Sequence, residues 1–147
     1  MKKEDILNKL PYQKPFLFVD QLYDVDENGI VGSYCFVDDA DFFKGHFKNE
    51  PITPGVILTE CCAQIGLVCL GLFLLKDYNS EDLQIGMSSS EMEFYIPVLP
   101  NETVKVVSEK VYFRFNKLKC NVKMYNESEQ LVCKGTLAGM FKLVTHE

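Results

Sequence analysis

The alternation of apolar and polar residues divides most of the chain into strand-like segments. Branched and aromatic residues dominate these segments, and turn-forming clusters such as Asp26-Glu27-Asn28-Gly29 separate them. The pattern predicts strands over 16–25, 30–37, 103–115, 118–124 and 131–143 and a short helix over 3–10. The second half is strand-like throughout, and residues 85–96 are its least regular part.

One segment departs from this pattern, because from Gly55 to Leu75 nearly every residue is apolar or small. A surface helix would show a polar stripe, and none appears before Lys76, so we expect a helix buried on all sides. Thr53 is the expected N-cap and Pro54 the first helical residue. The sequence therefore predicts a single α+β domain over 1–147, with an antiparallel sheet wrapped around one long central helix.

Composition narrows the classes of function. The net charge of −6 and a single arginine, Arg114, argue against a nucleic-acid surface, so an anionic partner would have to dock on local lysine patches. The most apolar run, 65–75, is shorter than the roughly 20 residues that cross a bilayer. The N-terminus lacks a signal-like apolar stretch. None of the six cysteines forms a C-x-x-C pair, so we expect buried, reduced thiols in a cytoplasmic protein without a metal site.

Two side chains carry the candidate chemistry. His46 lies in an aromatic loop, 42–47, just before the helix, whereas His146 is one residue from the C-terminus and is set aside. Glu60 is the only acid between Pro51 and Leu75. Burying an unpaired carboxylate costs several kcal/mol, and desolvation raises its pKa, which favours a neutral acid able to donate a proton.

Gly55 and Gln64 complete the candidate site. The N–H of Gly55 has no partner inside the helix and is an oxyanion donor if it faces a ligand, although a plain Pro-Gly helix entry is equally consistent with the spacing. Gln64 shares a helix face with Glu60 and either orients its carboxyl or bonds a backbone group elsewhere.

Several motifs together resemble the FabA/FabZ-type β-hydroxyacyl-acyl carrier protein dehydratases. They are Leu10-Pro11 with 15–20, Gly45-His46-Phe47, 51–56, Glu60 with 63–64 and, more weakly, Phe94 with 97–100. The resemblance implies a hotdog fold and a dimer in which His46 of one subunit faces Glu60 of the other. It also implies a (3R)-3-hydroxyacyl substrate on the phosphopantetheine of an acyl carrier protein, with no metal or redox cofactor.

The resemblance assigns each site residue a role. His46 and Glu60 are the expected catalytic residues, Gly55 binds the thioester oxygen, and Gln64, Phe47, Val56 and Thr59 support the site or contact the substrate. The chain departs from the family at Tyr12-Gln13-Lys14, at 48–50 and at Glu93, where a His-Arg pair, Pro-Gly-Asn and a basic residue are usual. These departures suggest a member specialised for secondary lipids or polyenes.

The expected reaction is dehydration to the trans-2-enoyl thioester in fatty acid or specialised lipid biosynthesis. Two alternatives stay open. A hotdog thioesterase would use Glu60 to activate water, and a non-catalytic acyl-binding subunit would rely on a sister chain. The sequence leaves the acyl length open, although Thr59, Cys62 and Gly66 are candidates to line a tunnel.

Overall fold

The computed structural model describes residues 1–144, without the side chain of Ser80; His146 lies outside the described residues. Its helices are α1 (Lys3–Asn8) and α2 (Gly55–Leu74), with 3₁₀ turns at Asp41–Lys44 and Ser80–Asp82. Its strands are β1 (Gln21–Asp26), β2 (Gly29–Cys35), β3 (Leu83–Phe94), β4 (Thr103–Arg114), β5 (Lys117–Tyr125) and β6 (Leu131–Leu143).

The six strands form one sheet in the order β1-β2-β4-β5-β6-β3, and every neighbouring pair is antiparallel. One face of the sheet packs on α2, and side chains from both, such as Ile65, Leu70, Val122 and Leu137, are fully buried in a common core. The predicted α+β hotdog architecture is confirmed.

The central helix confirms the prediction to within one residue, but three details of that prediction are wrong. The helix has 20 residues and is long enough and apolar enough to span a membrane, so the argument from a short run fails. Instead, 72% of its most apolar window is buried inside the protein, as in the core helix of a soluble protein. Pro54, not Thr53, is the N-cap, and the Thr53 hydroxyl is buried without a hydrogen-bond partner in the described part of the chain.

The third error concerns burial, since the first turn of α2 is not covered by the rest of the protomer. Val56 is 76% exposed, and Thr59 and Glu60 are half-buried, whereas every residue from Cys61 to Leu72 is buried. The helix therefore presents one open end. In its middle, Gln64–Cys69 forms a π-helical stretch between two α-helical parts, a feature that the apolar pattern did not predict.

Two strands differ from the prediction. β1 begins at Gln21 rather than at residue 16, because the backbone at Phe16 and Phe18 is bonded to the Gln64 side chain instead of to a strand. β3 is a 12-residue strand with a register shift between Met87 and Ser89, and it lies in the part of the strand-like second half where the pattern is least regular. It lies at the edge of the sheet, paired only with β6 among the described residues.

Candidate active site

His46 is held in one orientation by the turn that precedes α2. Its Nδ1 lies 2.9 Å from the backbone oxygen of Ile52, and its ring stacks on Phe47 with 4.0 Å between centroids. A carbonyl oxygen can only accept, so Nδ1 carries the proton of the neutral ring. The Nε2 lone pair is then available as a base.

Glu60 lies on the second turn of α2, where the open end of the helix meets the core. Burial raises the pKa of the Glu60 carboxyl above its ordinary value, and the hydrogen bond from Gln64 lowers it by less. The half-buried position makes the neutral acid more available near neutral pH than in water. The sequence correctly predicted the direction of this shift.

Gln64 is fully buried and uses both ends of its amide. Its Nε2 donates to Oε2 of Glu60 at 3.0 Å and to the carbonyl of Phe16 at 3.1 Å, while its Oε1 accepts from the N–H of Phe18 at 2.7 Å. Both roles that the sequence left open are therefore filled at once. Gln64 fixes one carboxyl oxygen of Glu60 and leaves the other free.

Gly55 begins α2 with its N–H directed out of the helix. The first intrahelical donors are the N–H groups of Ile57 and Leu58, which both bond to the carbonyl of Pro54. The ring of Phe94 lies 3.4 Å from the position that a Cβ of Gly55 would take, an ordinary contact distance, so this ring borders the first turn of the helix. The Thr59 hydroxyl donates to the carbonyl of Gly55 at 3.1 Å, which anchors this turn.

A small cavity of about 60 Å³ opens beside Glu60. Its walls come from α2, from the facing strands β3 and β6 and from the segment before β1: Tyr12, Glu60, Ala63, Leu67, Val68, Ile85, Gly86, Met87, Gly139 and Phe141. Sequence reasoning had noted Tyr12 only as a departure from the family pattern and had missed its place next to the acid.

Within one protomer these groups form three separate pairs. Glu60 and Gln64 are in contact, as are His46 and Phe47, and Thr59 is bonded to Gly55. Within residues 1–144, however, no hydrogen bond joins His46 to Glu60, and His46 does not line the cavity of Glu60. Val56 contacts neither group through a hydrogen bond and points to solvent.

None of the six cysteines lines the cavity beside Glu60. All six are free, five of them are buried and Cys35 is half-buried, which agrees with the expectation of buried, reduced thiols except at Cys35. In the described part of the chain no group of three or more His, Cys, Asp or Glu side chains is arranged to hold a metal ion.

The sequence matches the profile of the FabA-like domain over residues 10–136, a range that contains His46, Gly55, Glu60 and Gln64. The chain belongs to the FabA-like family. A 3-hydroxyacyl-[acyl-carrier-protein] dehydratase FabZ from Syntrophobacter fumaroxidans is 33% identical over 132 residues, which cover 90% of this chain and 88% of that protein. A FabZ from Caulobacter sp. strain K31 is 34% identical over 106 residues, 71% of this chain and 64% of that one.

Solved structures extend the similarity of fold. The dehydratase heterocomplex ApeI:P from Xenorhabdus doucetiae superposes with a TM-score of 0.78 at 11% identity, covering 93% of this chain and 90% of that one. A thioesterase from Pseudomonas aeruginosa gives 0.68 at 10% identity, covering 98% and 96%. At such low identities these structures show a shared fold and nothing about the reaction.

Proposed function

We propose that this FabA-like protein removes water from a (3R)-3-hydroxyacyl thioester, carried on an acyl carrier protein, to give the trans-2-enoyl thioester. The observation that carries the proposal is the state of Glu60, a carboxyl with a raised pKa, one oxygen fixed by Gln64, and a cavity beside it. Such a group suits the protonation of a departing hydroxyl.

His46 supplies the base in this scheme. With Nδ1–H donated to Ile52, its Nε2 takes a proton from C2 of the substrate. The C3–O bond then breaks, the C2–C3 double bond forms, and Glu60 gives its proton to the leaving hydroxyl, which departs as water. The elimination moves protons and changes no oxidation state, so it requires no redox cofactor.

Gly55 stabilises the charge that develops on the thioester oxygen. Its N–H is free of intrahelical bonds, and Gly55 has no side chain of its own to block it. One such donor is typically worth about 3 kcal/mol of transition-state stabilisation. The thioester would enter at the open first turn of α2, next to Val56 and Phe47.

The working unit in this proposal is a homodimer. The open helix end and the unpaired edge of β3 expose a set of apolar side chains that a second copy would cover: Phe47, Val56, Met87, Phe94 and Tyr95. An exposed apolar patch of this kind marks an association surface. In such a dimer His46 would meet Glu60 of the partner subunit, and we place the enzyme in the cytoplasm.

The tip of the β4–β5 hairpin offers a docking face for an acidic carrier. Arg114 and Lys117 face each other across the two strands, with Lys119 two residues farther along. Phe115 at the turn is 93% exposed and, like Asn116, has a positive φ. The two opposed cations repel each other, and contact with an anionic partner would offset that repulsion.

Phe115→Asn tests the docking face, because asparagine tolerates a positive φ and the hairpin stays folded. We expect weaker turnover of carrier-bound substrate and unchanged turnover of the same acyl group on free pantetheine. An equal effect on both substrates would refute this docking face.

The reaction itself is tested with a panel of (3R)-3-hydroxyacyl thioesters of increasing chain length, following enoyl absorbance and free thiol together. We expect enoyl product without thiol release, and losses of 100-fold or more in His46→Ala and Glu60→Gln, on the order of what one acid–base group contributes. Thiol release without enoyl product would identify a thioesterase. Activity that appears only after a second protein is added would indicate a subunit role.

A further inference from the structure

The side chain of Tyr12 is the one wall of the Glu60 cavity that comes from outside the helix and the sheet. It lies in the segment between α1 and β1, and its ring packs against Phe16 with 6.4 Å between centroids. Its neighbours in the cavity wall, apart from Glu60, are apolar side chains and glycines. Tyr12 therefore brings the second polar side chain to this cavity.

The Tyr12 hydroxyl has no hydrogen-bond partner among residues 1–144, although the side chain is half-buried. Burial first, and the nearby Glu60 second, raise the pKa of Tyr12 to about 12. The hydroxyl is therefore protonated at every pH where the protein works and is a donor without an acceptor. Such a donor can bond to a partner that enters the cavity.

The size of the cavity indicates what that partner is. A volume of about 60 Å³ corresponds to roughly two water molecules, since each takes about 30 Å³ of liquid. This room fits a hydroxyl group and the water it becomes, and it does not fit an extended acyl chain. Of the two oxygens of Glu60, Gln64 holds one, so the other is free for the same guest.

We propose that Tyr12 is a substrate-binding residue that donates a hydrogen bond to the 3-hydroxyl of the substrate and so selects 3-hydroxyacyl over saturated acyl thioesters. The inference rests on the proposed function. The hydroxyl oxygen has two lone pairs. One receives the proton from Glu60, and the other accepts from Tyr12, so the leaving group is held while the C3–O bond breaks.

Equilibrium binding separates this role from turnover. The probes are (3R)-3-hydroxyoctanoyl-pantetheine and octanoyl-pantetheine, measured by calorimetry on the His46→Ala protein, which leaves Tyr12 and Glu60 in place and does not consume the ligand. Tyr12→Phe removes only the hydroxyl. We expect it to weaken binding of the 3-hydroxy ligand about tenfold, equivalent to about 1.4 kcal/mol, and to leave binding of the saturated ligand unchanged.

Tyr34→Phe is the matched control. Tyr34 is also half-buried, and burial likewise raises its pKa to about 12, but it lines a separate groove with Asp20 and Asp39. We expect no change for either ligand. Equal weakening of both ligands by Tyr12→Phe, or no effect on either, would overturn the proposal. Failure of the wild-type protein to form enoyl product would instead overturn the proposed function, and the two failures are seen in separate assays.

Discussion

Replacing Gln64 by leucine tests how far the fold depends on one buried amide. Gln64 is fully buried, and leucine fills a similar volume without any hydrogen-bonding group. The substitution removes three hydrogen bonds, of which the 2.7 Å bond from the N–H of Phe18 is the most enclosed, since Phe18 is itself buried. The other two partners, the carbonyl of Phe16 and the carboxyl of Glu60, belong to more exposed residues and can form hydrogen bonds to water instead.

The expected loss follows from that difference in burial. A buried donor left unsatisfied costs about 1–3 kcal/mol, and the two partially hydrated partners add less than a full hydrogen bond each. Burial of an apolar leucine offsets part of this. We therefore expect Gln64→Leu to lower the free energy of unfolding by about 2 kcal/mol, or roughly 4–8 °C in Tm for a chain of this length.

Urea unfolding at matched protein concentration measures the effect, because an oligomer's apparent stability depends on concentration. Gln13→Leu, at an exposed glutamine, is the control and should stay within about 0.5 kcal/mol of wild type. A loss below about 0.5 kcal/mol in Gln64→Leu would refute the reasoning. The same variant should also raise the pKa of Glu60 further, because the bond it removes lowers that pKa, and the alkaline limb of the rate profile should move to higher pH.

Three further substitutions probe the acid, the core and the assembly. Folding raises the pKa of Glu60, so the protonated carboxyl stabilises the folded state at pH values below its ordinary pKa, and this stabilisation is lost as the pH rises through the raised pKa. In thermal scans Glu60→Gln should therefore have a higher Tm than wild type at pH 8, and the difference in Tm should shrink toward pH 4. A difference in Tm that does not change with pH would contradict this. Gly71→Ala places a Cβ within the ring of Phe141 and should lower the free energy of unfolding in urea by about 1–3 kcal/mol. An unchanged urea midpoint would show that the core rearranges around the added methyl group. Val56→Asp should shift the mass in light scattering to that of a monomer, whereas Val111→Asp, also exposed, should not; an unshifted Val56→Asp would argue against the proposed interface.

The parts of the fold and site that the sequence predicted are those set by local chemistry. An apolar run with no polar stripe predicts a covered helix, and the structure places that helix at Gly55–Leu74 but leaves its first turn open. A lone acid within that run must be desolvated, and the pKa of Glu60 is indeed raised for that reason. These inferences needed only neighbours a few residues apart.

The parts that the sequence missed depend on contacts between distant residues. β1 starts later than predicted because the N–H of Phe18 donates to the side chain of Gln64 instead of to a neighbouring strand. The two residues are 46 positions apart in the chain. β3 forms a 12-residue strand because β6 pairs with it at both ends and on either side of the shift between Met87 and Ser89, although its own residues alternate poorly. Tyr12 reaches the cavity of Glu60 through the path of an irregular segment, which no periodicity encodes.

The open end of α2 links these observations to the proposed reaction. Exposing Val56 and Phe94 costs an isolated protomer stability, because apolar surface in water is unfavourable. The same turn carries the free N–H of Gly55. Glu60 lies on the next turn of the helix, where burial raises its pKa. If a second copy covers this end, dimerisation buries the apolar turn, excludes water from the site and brings the second copy's equivalent of His46 to Glu60. Activity per protomer should then fall on dilution in step with dissociation, and a constant specific activity in the monomer would separate catalysis from assembly.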